Sequence, residues 1–211
     1  MTRVALITRV AKPVLYVLGT VPLTYAVVRL ANGSVEGDQV KFLQHVTGDT
    51  VLGCLLLTLS VTPLRRLTGW NEIIRVRRLL GLTAFWYALV HFLSYVVFDQ
   101  SLSIADIGAD IIEHPWVLLG FTALLLLLPL AVTSTRGWVR RLGGKRWNRL
   151  HQLIYPATLA GLIHYFWLVK KDVTDPLYWA AALLVVLVLR LMKRLSRRPR
   201  PVTLSQEEAA S

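Results

Sequence analysis

Six apolar segments, about Val14 to Leu30, Val46 to Leu64, Leu79 to Phe98, Trp116 to Thr133, Leu150 to Val169 and Leu177 to Met192, limit what this chain can fold into. Each comes close to the ~17 to 25 residues that a helix needs to cross a ~30 Å hydrocarbon layer, the last being the shortest. Backbone polar groups in lipid must be paired internally, so such segments are helical. With 55% hydrophobic and only 17% charged residues in 211, the chain is too apolar for an ordinary soluble domain. The expectation is an all-α integral membrane protein, a six-transmembrane-helix bundle with both termini on one side. Gly19 and Pro22 in the first span predict a kinked helix rather than a cleaved signal peptide. Pro115 and Pro176 precede or open spans, where a missing N–H costs nothing. Pro129 and Pro156 fall inside spans and predict bends, the second between His151 and His164.

Charge gives the orientation. Of the 24 Lys and Arg residues, all but Arg29, Lys41, Lys170 and Lys171 fall at the N-terminus, in the second-to-third and fourth-to-fifth connections, or at the C-terminus. By the positive-inside rule that side is cytoplasmic, so the N and C termini are expected there. The opposite side is acidic, with Asp99, Asp106, Asp110 and Glu113 densest before span four. The net charge of +12 is thus explained by topology and needs no nucleic acid, although the basic face would attract anionic lipid headgroups. Trp116, Trp138, Trp147, Trp167 and Trp179 lie near span ends and read as interfacial anchors rather than a cofactor box. Cys54, the single cysteine, excludes an intramolecular disulfide and reads as packing. Residues 1–195 form the expected transmembrane domain, and the polar stretch 196–211 reads as a disordered cytoplasmic tail.

The chemistry rests on histidines at depth. His91 stands 12 residues beyond Leu79 and His164 14 beyond Leu150. On a rise of ~1.5 Å per residue they share nearly one height in the membrane. Two neutral imidazoles facing each other from two helices can hold a b-type haem by both axial positions, among apolar and aromatic side chains such as Phe85, Trp86, Phe92 and Phe166. A histidine hydrogen-bonded to a neighbouring helix fits the same sequence. His151 lies at the basic edge, where a second haem would need another ligand; the position 14 residues before His91 is Arg77, which stays protonated and is no plausible ligand. Arg77 and Arg78 could pair with haem propionates or a flavin phosphate, or serve only as topology signal. His45 reads as a capping or solvated group or a propionate partner, and His114 as solvent-exposed.

The stretches RVRRLLGL followed by HFLSY at His91, PWVLLGFTALLLLLPLAVTS, and GGKRWNRLHQLIYPATLAGLIHYFWLVK resemble the ferric-reductase-like transmembrane domain family, which includes NADPH oxidases. Within it they are similar to the haem-binding membrane subunits of periplasmic methionine sulfoxide reductase systems, over about residues 13–195. Members of the wider family carry two histidines on each of two helices and bind two stacked haems. This chain matches three of the four, His91, His151 and His164, with Arg77 in place of the fourth. The resemblance therefore implies one or two b-type haems, an inner one being five-coordinate or ligated from elsewhere. It further implies bound FMN, quinol or a cytosolic flavin reductase as electron donor, and a periplasmic molybdopterin-containing partner that reduces methionine sulfoxide in oxidised proteins.

No connection approaches the ~50 residues of a small nucleotide-binding domain, so electrons would arrive from one molecule and leave to another, with catalytic reduction on the partner. The expected role is an electron-transfer subunit in the bacterial inner membrane. A small histidine-dependent transporter or proton channel is the competing class; it predicts broken polar helices at mid-depth and a repeat between halves, whereas the spans are almost free of Asp and Glu and no repeat is visible. A scaffold that merely anchors the reductase would need no intramembrane histidines.

Overall fold

The computed structural model describes residues 2–169 and 172–195. The expected tail at 196–211 lies outside them. All regular elements among the described residues are helical. Helix α1 (Arg3–Leu6), a π turn (Ile7–Ala11) and α2 (Lys12–Ala31) run as one rod. They are followed by α3 (Gln39–Thr68) and α4 (Arg77–Ser94), the latter entered through a 3-10 turn at Asn71–Val76 and left through a π turn at Tyr95–Asp99. Next come α5 (Ile104–Glu113), α6 (Pro115–Val132), α7 (Arg136–Leu150), a 3-10 turn at His151–Leu153, α8 (Ile154–Leu168) and α9 (Thr174–Leu195).

Five of these helical stretches are long and apolar enough to cross a membrane: Arg3–Ala31, Gln39–Thr68, Asn71–Asp99, Pro115–Val132 and Thr174–Met192. The remaining expected span, Leu150 to Val169, is the 15-residue α8, about 22 Å of helix. Helices α3 and α4 pack along each other, α6 and α8 form a second pair, the pairs meet through α4 with α6 and α3 with α8, and α9 packs on α3 and α8. The shared core holds Leu55, Leu59, Ala84, Leu127, Ile154 and Ala157. On the periphery Val17 is 65% and Leu184 62% exposed, as lipid-facing side chains are.

Helix ends follow local chemistry. Asp38 caps α3 by accepting from the N–H groups of Val40 and Lys41, which starts that helix well before the expected Val46. The bond from the Lys41 backbone, helped by the Lys41 side chain, holds the Asp38 carboxyl below its ordinary range. Gly69, at φ 68°, takes the left-handed conformation that ends α3. Pro115 opens α6 as expected.

Two interior prolines are answered by side chains from other helices. Pro63 has no N–H for the Leu59 carbonyl, and Arg190 of α9 supplies Nε at 3.1 Å and Nη2 at 2.9 Å in its place. Arg190 also donates to the Tyr155 hydroxyl. At Pro22 in α2, the Tyr87 hydroxyl accepts from Leu23 N–H at 3.2 Å and donates to Gly19 C=O at 2.7 Å. Those are the groups that an unbroken helix pairs with each other, so Tyr87 is inserted in the ladder beside Pro22.

One expectation is corrected, and two connections prove helical. Pro156 lies in the first turn of α8, where no intrahelical N–H is lost, so it bends nothing; the break between His151 and His164 is the 3-10 turn at His151–Leu153. The acidic connection before span four contains α5, whose Ile104 and Ile112 are 85% and 81% exposed. The basic connection after it is largely α7, kinked at Gly143 (φ 72°, ψ 151°).

Candidate haem-binding site

Helices α3, α4, α6 and α8 enclose a cavity of about 480 Å³, within the range of small-molecule and cofactor sites. Space is left because small residues face inward from all four helices: Gly48, Ala88, Gly120, Ala123, Ala157 and Gly161. Apolar side chains including Leu55, Leu124 and Leu127 line its depth, while Lys41, His45, Asp49, Asp99 and Gln100 stand around its mouth.

His91 from α4 and His164 from α8 both line this cavity. Their ring centroids are 6.2 Å apart and the rings are nearly perpendicular, at 86°. Each ring is tethered by Nδ1. His91 Nδ1 lies 3.1 Å from the Gln44 carbonyl and 3.1 Å from the Thr47 hydroxyl, and His164 Nδ1 lies 2.6 Å from the Trp116 carbonyl. A carbonyl only accepts, so both Nδ1 atoms carry the proton and each Nε2 keeps a free lone pair. A backbone carbonyl fixing the far nitrogen is the usual support of a metal-bound histidine.

These residues fit a haem iron between them. Two imidazoles sharing one metal through bonds of about 2 Å would have ring centres about 6 Å apart, and these rings stand at 6.2 Å. Of the aromatics expected around the porphyrin, Phe92 lines the cavity, packed on Phe121 at 5.6 Å. Phe85 and Phe166 pack on the apolar core instead, and Trp86 points outward at 60% exposure. The pattern of aromatic residues could not separate these cases, because both faces of a membrane helix are apolar.

His151, Arg77 and Arg78 lie away from this cavity. His151 stacks on Trp147 with centroids 3.8 Å apart, and its Nε2 lies 3.1 Å from the Thr133 hydroxyl. That hydroxyl donates to Pro129 C=O at 2.6 Å, so its oxygen accepts from His151 Nε2–H and the lone pair is on Nδ1, the reverse of the other two histidines. Trp147 Nε1 donates to the Thr133 carbonyl at 2.9 Å and closes the cluster. Arg77 is partly buried and Arg78 is exposed. No second imidazole faces His151 among the described residues.

At the mouth, Asp110 accepts from Tyr95 at 2.5 Å, tying α5 to the π turn after α4, and pairs with His114 at the end of its own helix at 2.7 Å. His114 is therefore partly buried and engaged, against Trp116 at 4.6 Å, and not simply solvent-exposed. His45 is exposed at the mouth with its ring edge to Tyr165. Trp116, Trp147 and Trp179, read as anchors, have specific work: a carbonyl for His164, a stacking face for His151, and a bond to Asp49 at 3.2 Å. Gln44, Thr47, Gly48, Gly120, Thr133 and Arg190 support these histidines and helices without any motif that marks them in the sequence. The glycines alone carried a signal, since glycine inside a helix is unfavourable and implies a close approach.

The sequence profile of the ferric reductase like transmembrane component family matches residues 47–162, from within α3 into α8; the match includes His91 and stops two residues short of His164. A protein-methionine-sulfoxide reductase heme-binding subunit MsrQ of Rhodospirillum rubrum is 42% identical over 190 residues, covering 90% of this chain and 91% of the relative. The MsrQ of Xanthomonas campestris pv. campestris is 47% identical over 165 residues, 78% of this chain and 75% of its own length. That of Herminiimonas arsenicoxydans is 38% identical over 182 residues, 85% and 84% of the two chains. With a matched profile over more than half its length and bacterial relatives this similar end to end, the chain belongs to the ferric-reductase-like transmembrane family, among its MsrQ haem-binding subunits.

Proposed function

We propose that His91 and His164 hold a b-type haem through their Nε2 atoms, and that the chain is the membrane electron-transfer subunit of a protein-methionine-sulfoxide reductase system. The observation that carries the ligation is the pair of rings lining one cavity at 6.2 Å, each with Nδ1 committed to a carbonyl. The function is that of the MsrQ relatives, and the chain is a multi-pass membrane protein. A bound haem supplies one-electron redox chemistry; the protein holds the ligands in one tautomer, keeps the cavity apolar and excludes water. Bundling α8 with the five longer helices gives six spans, with both termini and most Lys and Arg on the cytoplasmic side of the inner membrane.

Electrons enter from quinol or a cytosolic flavin reductase at the basic end. His151 is the inner-side ligand candidate, through Nδ1, and Arg77 and Arg78 are the candidates for haem propionates or the FMN phosphate. They leave at the acidic mouth, to a periplasmic molybdopterin-containing subunit on which methionine sulfoxide is reduced. The test is the absorbance spectrum of the purified full chain beside His91→Ala and His164→Ala. Each variant is expected to insert, to lose the low-spin signal of this haem and to stop passing electrons. Full haem content and an unchanged spectrum in both would exclude the assignment.

A further inference from the structure

The two histidines reach the cavity by the same device. His91 binds the Gln44 carbonyl of α3, and its Cε1 and Nδ1 would lie 3.4 and 3.6 Å from a Cβ placed on Gly48, four residues later. His164 binds the Trp116 carbonyl of α6, and its Cε1 and Nδ1 would each lie 3.0 Å from a Cβ placed on Gly120, again four residues later. The spacing has a physical reason. Side chains on a helix tilt toward its N-terminus, so the Cβ of residue i+4 covers the carbonyl of residue i. With glycine there, the carbonyl's second lone pair is open to a donor from a neighbouring helix while the first stays in the helix ladder.

We infer that Gln44/Gly48 on α3 and Trp116/Gly120 on α6 are matched notches that seat the His91 and His164 imidazoles and fix their ring planes, making Gly48 and Gly120 positioning residues for the haem. This rests on the reading of His91 and His164 as ligands. Four helices act as two receiver–donor pairs, α3 with α4 and α6 with α8, which are also pairs that pack against each other extensively. Alanine at Gly120 would press on the His164 ring, which would have to give by a few tenths of an ångström and so shift on its carbonyl, whereas at Gly48 the added methyl would come only to the edge of ordinary contact with His91. The effect should be larger at Gly120, where the contacts are 3.0 Å, than at Gly48, where the shortest is 3.4 Å.

Gly120→Ala, Gly48→Ala and the control Gly81→Ala are compared in the full chain, with His91→Ala and His164→Ala alongside. Gly81 is also inside a helix, but a Cβ there meets Thr58 Cγ2 only at 3.8 Å. Alanine is the better helix former, so propensity predicts no loss in any of the three. The readouts are the low-spin electron paramagnetic resonance g-values, which report ring-plane orientation, the midpoint potential, and the rate of haem loss to excess apomyoglobin. Gly120→Ala is expected to shift the g-values and potential and to lose haem roughly 10-fold faster, the scale of losing a partner behind a metal ligand. Gly48→Ala should shift in the same sense by less, and Gly81→Ala should match wild type. If Gly120→Ala does not insert, the Gly48→Ala readouts decide in the same way. Glycine variants that match Gly81→Ala, while the histidine variants lose haem, would overturn the notches and leave the ligation standing. Histidine variants that keep the haem would overturn the ligation itself, and the notches with it.

Discussion

At His91 and His164 the ring proton sits on Nδ1, because the Gln44 and Trp116 carbonyls can only accept; at His151 it sits on Nε2, because Thr133 has already given its hydroxyl proton to Pro129. The three histidines are alike in sequence character and unlike in what they can ligate. Spacing alone could bring His91 and His164 to one height, since helical rise is nearly constant. It could not show the tautomers, which depend on carbonyls contributed by other helices. His151 shares neither cavity nor hydrogen-bond partner with the other two, and effects at sites without shared partners add independently. His151→Ala should therefore keep the low-spin signal assigned to His91 and His164 while slowing reduction from the cytoplasmic side. Loss of that signal in His151→Ala would show that the two clusters are one site.

Between helices, the proline defects explain why an arginine and a tyrosine occupy apolar spans. Arg190 counts, in the sequence, as one more basic residue at a cytoplasmic end. The structure makes it the substitute donor for a carbonyl that Pro63 leaves without its partner. That role depends on a contact between α3 and α9 across 131 positions of sequence, which no local pattern encodes. Replacing Arg190 with Met leaves the Leu59 carbonyl unpaired in an apolar setting, at a cost of about 1–2 kcal/mol. Pro63→Ala restores the N–H inside α3, so the cost of Arg190→Met should shrink in that background. A double-mutant cycle on thermal unfolding in detergent measures it; equal costs in both backgrounds would remove the link between Arg190 and Pro63. Five of the six apolar segments correspond to helices long and apolar enough to span, because hydropathy dominates there, but the ends were not legible: α3 begins seven residues before the expected Val46, at the Asp38 cap, and the first helical stretch begins at Arg3. Nor was the short α5. Its isoleucines alternate with Asp and Glu over ten residues, and an acidic loop and an amphipathic helix look alike at that length.

As a whole molecule the chain has a basic end and an acidic end, with the cavity opening to the acidic one. The four acids that are densest before α6 are alike in sequence, and the structure divides them. Asp99 accepts from Gln44 at 2.5 Å, and Asp110 is held between Tyr95 and His114, so both belong to the architecture of the mouth. Asp106 and Glu113 on α5 are exposed and make no side-chain ion pair among the described residues. Charges of that kind act on encounter rate and weaken once the Debye length falls to about 10 Å at 0.1 M salt. Asp106→Asn with Glu113→Gln should therefore slow electron delivery to the partner at low ionic strength, with the deficit closing as salt rises and the haem spectrum unchanged. Asp110→Asn should behave differently: it weakens the tie between α5 and the mouth, and its deficit should persist at high salt. Stopped-flow oxidation of the reduced protein by the partner, across a salt series, separates the two. A salt-independent deficit in the Asp106/Glu113 variant, or none at any salt, would remove α5 from partner steering.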